Sequence, residues 1–257
     1  MLIGHLARKD QKLLNIYLIN NHMNRFSLND LWMMYKTRGF ILPIKYLLEC
    51  WWFDLSRGVS THHRMQTNEF LEDKIQKKHS VLYMSSWTSV IKSSTKFAIS
   101  YLREYETRKP ILVDVGSGKG KVLLAWCENR KISSEVYKIY GIELSSLLFQ
   151  VCESNLKNFK RKLIEPCNLC EDILDSEITF KNSPYIFYLY NPFDAVIMKK
   201  FLKKLSQDFI DGQNFILIYN NPVHHSTILE SGLHLIHKFN YWHPNGVVNF
   251  YSSKEQS

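Results

Sequence analysis

The 257-residue sequence has no run of twenty uncharged apolar residues, so no stretch of it can cross a bilayer on hydrophobicity alone. Its opening, Met1 to Asp10, lacks the long apolar centre of an export leader, and a soluble, cytoplasmic protein is the expectation. Cysteine is sparse and odd in number, five residues, which fits reduced thiols in such a compartment. Cys167 and Cys170 have CxxC spacing, but no second pair follows to complete a four-ligand site, so no structural metal is expected. There is no internal repeat and no low-complexity tract, which excludes a repeat array. Glycine is also scarce, and three of the ten stand at alternate positions, 116, 118 and 120.

With 45% apolar residues the chain can build one sizeable α/β core plus an appendage. The net charge of +9 is uneven: residues 1–110 carry 17 Lys and Arg against 9 Asp and Glu, whereas residues 111–257 carry 16 against 15. A basic field of this kind suits an acidic partner such as nucleic acid, a phosphorylated glycan or an anionic membrane, and it is equally what a solvated basic surface looks like.

The pattern divides the chain near residue 105. Residues 1–105 read as a helical N-terminal extension. Leu13, Leu14, Tyr17 and Leu18 form one apolar stripe, Ser27 to Asp30 can cap the next helix, and a further helix spans about 85–105. Residues 32–53 are dense in aromatic and aliphatic side chains next to Lys36, Arg38 and Lys45. They suit either packing on the main domain or a hydrophobic lid or peripheral membrane contact. Asp54, Arg57, Thr61, His62 and His63 are polar groups in an apolar neighbourhood; they read as a ligand-holding loop, or as an Asp–Arg pair tying that loop down. Residues 66–80 read as a solvated linker or helix.

From residue 106 to 257 short strands alternate with helices, the mark of a mostly parallel sheet. Strands are expected at 111–115, 137–142, 167–170, 185–190 and 215–219, followed by an antiparallel hairpin of 233–239 and 247–251 through Pro244-Asn-Gly246. Ser145 and Asp194 are placed to cap helices.

The glycine stretch joins a buried strand, 111–115, to a helix beginning at Lys121. Glycine accepts backbone angles other residues resist and lets a ligand approach the main chain. It is not a Walker loop, because Gly118-Lys119 is followed by Gly120 where Ser or Thr would be needed. Nor is it the dinucleotide GxGxxG, whose third glycine falls one residue later, which counts against a nicotinamide-binding oxidoreductase. An acid, Asp114, stands just before the loop and suits a ligand carrying positive charge.

Val113-Asp-Val-Gly-Ser-Gly-Lys-Gly120 resembles motif I of the class I S-adenosylmethionine-dependent methyltransferases, and the resemblance extends over about residues 110–251. It implies an α/β fold with a seven-stranded, mostly parallel sheet, an antiparallel C-terminal hairpin and flanking helices. It also implies S-adenosylmethionine as cofactor. On it, Glu143 would hold the ribose hydroxyls and Asp172, with Glu171 its neighbour, the adenine amine. Asp114 would help position the cofactor, and the backbone of Gly116, Ser117, Gly118 and Gly120 would approach its methionine portion.

Asn191-Pro-Phe193 is similar to the Asn-Pro-Pro-Tyr/Phe signature of amino-group methyltransferases, without the second proline. The similarity implies that Asn191 borders cofactor and acceptor, that Asn191 and the Pro192 carbonyl accept hydrogen bonds from a target nitrogen, and that Phe193 packs on it. Motif I followed by Gly-Ile-Glu143 is also similar to the class I protein-lysine methyltransferases. Phe53-Asp-x-x-x-Gly-x-x-Thr61, motif I and Leu-Tyr-Asn-Pro-Phe193 together resemble a group of small bacterial methyltransferases. The expected reaction is methyl transfer to an amine or hydroxyl; the reading from a different class is a cofactor-binding scaffold without activity. Asp194, His62, His63, His224 and His225 are candidate bases, none of them compelling, which tilts the expectation towards nitrogen.

Overall fold

A computed structural model describes residues 28–62, 65–71, 78–81, 83–176, 183–209, 214–242 and 246–254. The expected stripe at residues 13–18, the Ser27 cap, His63 and Pro244 and Asn245 of the hairpin connection lie outside these residues.

Seven strands form one sheet: β1 (Ile111–Val115), β2 (Lys138–Glu143), β3 (Cys167–Cys170), β4 (Tyr185–Tyr190), β5 (Phe215–Asn220), β6 (His234–Asn240) and β7 (Val247–Ser252). Their order is β3-β2-β1-β4-β5-β7-β6. The first five run parallel, while β7 is antiparallel to both β5 and β6. This is the mostly parallel sheet with a reversed C-terminal pair that the sequence leads one to expect.

Both faces of the central strands are covered, and the pleat sorts their side chains. Leu112, Ile186, Ile216 and Ile218 share one core with residues of the N-terminal helices. Ile111, Val113, Val115, Phe187, Leu189 and Leu217 share the other.

The described helices are α1 (Leu28–Arg38), α2 (Ile41–Tyr46), α3 (Trp52–Arg57), α4 (Thr67–Phe70), α5 (Thr88–Arg103), α6 (Lys121–Cys127), α7 (Arg130–Glu135), α8 (Ser146–Asn158), α9 (Ala195–Asp208) and α10 (His225–Glu230). A five-residue π turn, Leu47–Trp51, joins α2 to α3. Ser145 caps α8 by accepting from the Leu148 amide, and Asp194 caps α9 by accepting from Val196 and Ile197. Pro43 lies in the first turn of α2, where its missing N–H has no helical partner to lose.

Although expected as part of the N-terminal extension, α5 packs directly on β4 and β5 as a flanking helix of the sheet. Val90, Ile91, Ala98 and Ile99 are buried in the same core as Leu112 and Ile216. At about 1.5–3 kcal/mol for each large aliphatic side chain fully buried, the sheet depends on this helix. Trp126 of α6 crosses the same layer and donates its indole N–H to Thr95 Oγ1 at 2.8 Å, so a buried polar group is satisfied.

Cys167 and Cys170 sit three residues apart on β3, so their side chains leave opposite faces of the strand. All five cysteines are unbridged thiols. Among the described residues no group of three His, Cys, Asp or Glu side chains is arranged to hold a metal, and no helix is long and apolar enough to cross a membrane.

Candidate active site

Parallel strands end on one edge, and the order reverses between β1 and β4, so their following loops diverge and leave a crevice. A cavity of about 330 Å³ lies there, lined among others by Gly116, Glu143, Asp172, Asn191, Phe193 and His79.

The glycine loop leaves β1 through three positive-φ residues, Gly116 at 75°, Gly118 at 54° and Gly120 at 84°. Each is also tightly packed on one side. A Cβ on Gly116 would lie 2.9 Å from Pro192 Cβ, one on Gly118 would run into the Tyr83 ring, and one on Gly120 would meet Cys152 Sγ at 2.5 Å. The three glycines therefore have different neighbours: the segment after β4, the N-terminal segment and helix α8. Only Gly116 of the three lines the cavity.

Glu143, at the tip of β2, accepts from the Gly118 amide at 2.7 Å and from the Ser145 amide at 2.8 Å, so its carboxylate fixes both the glycine loop and the start of α8. Burial nevertheless pushes its carboxyl above the ordinary range, against the pull of those amides. Asp114 is buried, and its Oδ2 has no hydrogen-bond partner. Burial first, and the neighbouring Glu143 charge second, raise its carboxyl well above the usual value. Asp172 and Glu171 both line the cavity; Asp172 also accepts from the Leu174 amide at 2.9 Å. Ser117 faces away, donating its hydroxyl to Asn168 Oδ1 at 2.9 Å.

The opposite wall is the segment after β4. Asn191 has φ 44°, a left-handed conformation that asparagine tolerates better than most residues, and its Oδ1 accepts from the Tyr219 hydroxyl at 3.1 Å. Pro192 and Phe193 line the cavity with Tyr190, Ile197 and Lys200. Phe193 forms an antiparallel bridge with Ser80, and the Asp194 amide donates to the His79 carbonyl at 3.0 Å.

The loop candidates resolve differently from the sequence reading. Asp54 does not pair with Arg57. It holds the Thr61 hydroxyl at 2.6 Å, the Thr61 amide at 2.6 Å and His62 Nδ1 at 2.6 Å, a buried cluster that closes the turn after α3. Burial acts to raise the Asp54 carboxyl, but its hydrogen bonds to His62 and Thr61 and the charge of Lys121 leave it below the ordinary range. Arg57 instead forks onto Glu128 at 2.7 and 2.8 Å, with Lys92 joining at 2.9 Å. None of Asp54, Thr61 and His62 lines the cavity; they act through Tyr83, a lining residue whose hydroxyl donates to the Thr61 carbonyl at 2.7 Å. His224 and His225 are not at the cavity either: His225 Nδ1 lies 2.7 Å from the Tyr251 hydroxyl, and His224 precedes α10.

The residue that sequence reasoning passes over is His79. It lines the cavity, and its Nδ1 lies 2.6 Å from Asp194 Oδ2. Burial acts to raise the Asp194 carboxyl, but the bond to His79 and those from the Ile197 and Val196 amides outweigh it and leave Asp194 below the ordinary range. Its signal is faint because Lys78-His79-Ser80 sits in a charged stretch with no periodicity, and its partner is 115 residues away.

No protein-family model matches the chain, and no curated protein matches it. Solved structures with a similar arrangement include magnesium protoporphyrin IX methyltransferase from Synechocystis PCC 6803 with bound S-adenosylmethionine, at 10% identity and TM-score 0.45 over 64% of this chain and 77% of that one. A glycopeptide N-methyltransferase complexed with S-adenosylmethionine is 8% identical at TM-score 0.44, over 62% and 92%. A methyltransferase from Aquifex aeolicus is 13% identical at 0.42, over 66% and 100%. At such identities and scores these likenesses say nothing of what this chain binds, and the description of the fold rests on its own strand order.

Proposed function

We propose that the protein is an S-adenosylmethionine-dependent methyltransferase acting on a hydroxyl or amine of an acceptor that carries negative charge. The observation that carries this reading is a cavity with carboxylates on one wall, Glu143 and Asp172, and the Asn191-Pro192-Phe193 segment with His79 on the other. The donor set fits the cofactor. Glu143 and Asp172 offer acceptors to hydroxyl and amine groups, and Leu144, Leu148 and Ile173 give an apolar wall for a flat ring. Behind this wall the buried Asp114 leaves Oδ2 without a hydrogen-bond partner, and a positive ligand nearby would favour its ionised form.

When bound, the cofactor supplies an electrophilic methyl on a sulfonium. The residues of this chain then have to orient the acceptor, exclude water and take a proton. Phe193 and Tyr190 cover the acceptor end with apolar surface, and Asn191, held by Tyr219, presents a fixed amide. With its Nδ1 proton given to Asp194, His79 has its Nε2 lone pair available to accept the acceptor's proton. This pair supports a hydroxyl acceptor, for which a base is required, more strongly than the sequence does. Lys200, at the cavity wall on the side of Phe193 and Ile197, offers a cationic contact to an anionic group of the acceptor.

Transfer of a tritiated methyl group into fractionated lysate tests the reading. Label in one fraction identifies the acceptor class, whereas binding of the cofactor with no label in any fraction would favour a scaffold. Calorimetry with S-adenosylmethionine and with NAD tests the donor, and Glu143→Ala should abolish heat of binding for the former.

A further inference from the structure

Helices α2 and α3, joined by the π turn, form one continuous rod over residues 41–57. Five positions of that rod are about half exposed, Ile41 at 59%, Ile44 at 54%, Leu48 at 58%, Trp52 at 54% and Leu55 at 46%, and all five are apolar. Their spacing, three or four residues each time, puts them on one side of the rod. The opposite side is buried through Leu42, Cys50 and Phe53. A row of large apolar side chains on a helix is normally covered, and among the described residues nothing covers this one. The adjoining α1 extends the surface with exposed Trp32 and Met33, and exposed Phe40 stands in the link between α1 and α2.

Cations stand beside this row. Lys36 is exposed, with its ammonium 5.3 Å from the Trp32 ring centroid, Lys45 is half-buried on the rod, and Arg38 sits over Trp242, itself partly exposed. The rod's own carboxylates are turned away: Glu49 binds the Ser89 amide and hydroxyl at 2.8 and 2.9 Å, and Asp54 is buried with Thr61 and His62. The rod is also firmly held. At the π turn the Glu49 carbonyl accepts from Lys121 Nζ at 2.8 Å and from Thr88 Oγ1 at 3.2 Å, and Arg57 at its end is locked to Glu128.

We infer that the face formed by Ile41, Ile44, Leu48, Trp52 and Leu55 docks in the plane of an anionic membrane surface. The apolar row enters the acyl boundary, the tryptophans lie at headgroup level, and Lys36 and Lys45 meet lipid phosphates. Charge decides between a lipid surface and a second copy of the chain. At +9 overall, with cations beside the row and the rod's two carboxylates engaged by Ser89 and by Thr61 and His62, a second copy is repelled, whereas an anionic leaflet is attracted. The docking face lies outside the cavity and does not depend on the reaction proposed above.

Sedimentation of the full chain with phosphatidylcholine vesicles containing about a third phosphatidylserine, against pure phosphatidylcholine vesicles, tests this. Binding is expected to the anionic vesicles, at least about tenfold weaker to neutral ones and falling with added salt. The variant Ile44→Ser/Leu48→Ser/Trp52→Ser replaces side chains that are more than half exposed, so it should keep a cooperative melt and lose at least about tenfold in vesicle binding. Lys36→Glu/Lys45→Glu should lose the preference for anionic lipid. Failure of the wild type to bind either vesicle would overturn the inference, as would equal binding by the triple variant. A wild-type dimer in analytical ultracentrifugation that the triple variant converts to monomer would overturn it too, by assigning the face to self-association.

Discussion

Burial sets the chemistry of Asp114. Its carboxyl, like that of Glu143, is raised above the ordinary value, 3.8 for Asp114 and 4.5 for Glu143. A carboxyl that titrates higher when folded holds a proton the unfolded chain has released. Stability is therefore greatest at low pH and declines as pH rises from the unfolded values through the raised ones. Thermal melts between about pH 4 and 8 should show this loss in wild type and a shallower one in Asp114→Asn, which is expected to melt higher at neutral pH yet bind S-adenosylmethionine weakly. Lys119 behaves in the opposite sense. Burial, partly offset by Asp54 and Glu69, lowers its ammonium to about 7, so the folded chain binds fewer protons than the unfolded one from there to 10.5, and stability rises across that window. In Lys119→Met that rise should disappear. For His79, replacement by Gln should cut kcat on the order of a hundredfold with cofactor affinity kept, measured by steady-state kinetics beside calorimetry.

The loop between β1 and α6 shows how one motif serves several contacts. Gly120→Ala brings a methyl against Cys152 Sγ and strains a φ of 84°, costing about 1–3 kcal/mol in urea unfolding. Combining it with Cys152→Ala should return part of that loss, because the clash goes and the backbone strain stays. The same loop is covered by Tyr83 at Gly118 and by Pro192 at Gly116, so the N-terminal segment and the segment after β4 meet across it. The bridge from Ser80 to Phe193 and the bond from the Asp194 amide to the His79 carbonyl tie those two segments directly. Elements remote in sequence thus converge on the wall where the acceptor is proposed to lie.

Taken over all its layers, the fold needs more than the strand-rich half of the chain. Helix α5 covers β4 and β5 with Val90, Ile91, Ala98 and Ile99, and α3 adds Phe53 to the same core. A chain beginning at residue 106 would expose that whole face. It should lack a cooperative urea transition and bind hydrophobic dyes, whereas the full chain should unfold in one step.

Strands, their order of appearance, the two helix caps and the reversed last pair were legible because each rests on local pattern: apolar runs, Ser145 and Asp194 before helices, and turn residues between strands. The glycine loop was legible for the same reason, since a strand end followed by alternating glycines predicts where backbone must bend, whereas Glu143 and Asp172 were singled out through resemblance to a known family. Tertiary structure alone decided which partner each polar group takes. It gave Asp54 to Thr61 and His62 in place of Arg57, turned Ser117 towards Asn168, kept His225 on Tyr251, and set His79 on Asp194. It also left the 41–57 face without a partner among the described residues. Periodicity tells which residues are apolar and which backbone is regular; pairing across dozens of residues depends on how layers pack, and no local pattern encodes that.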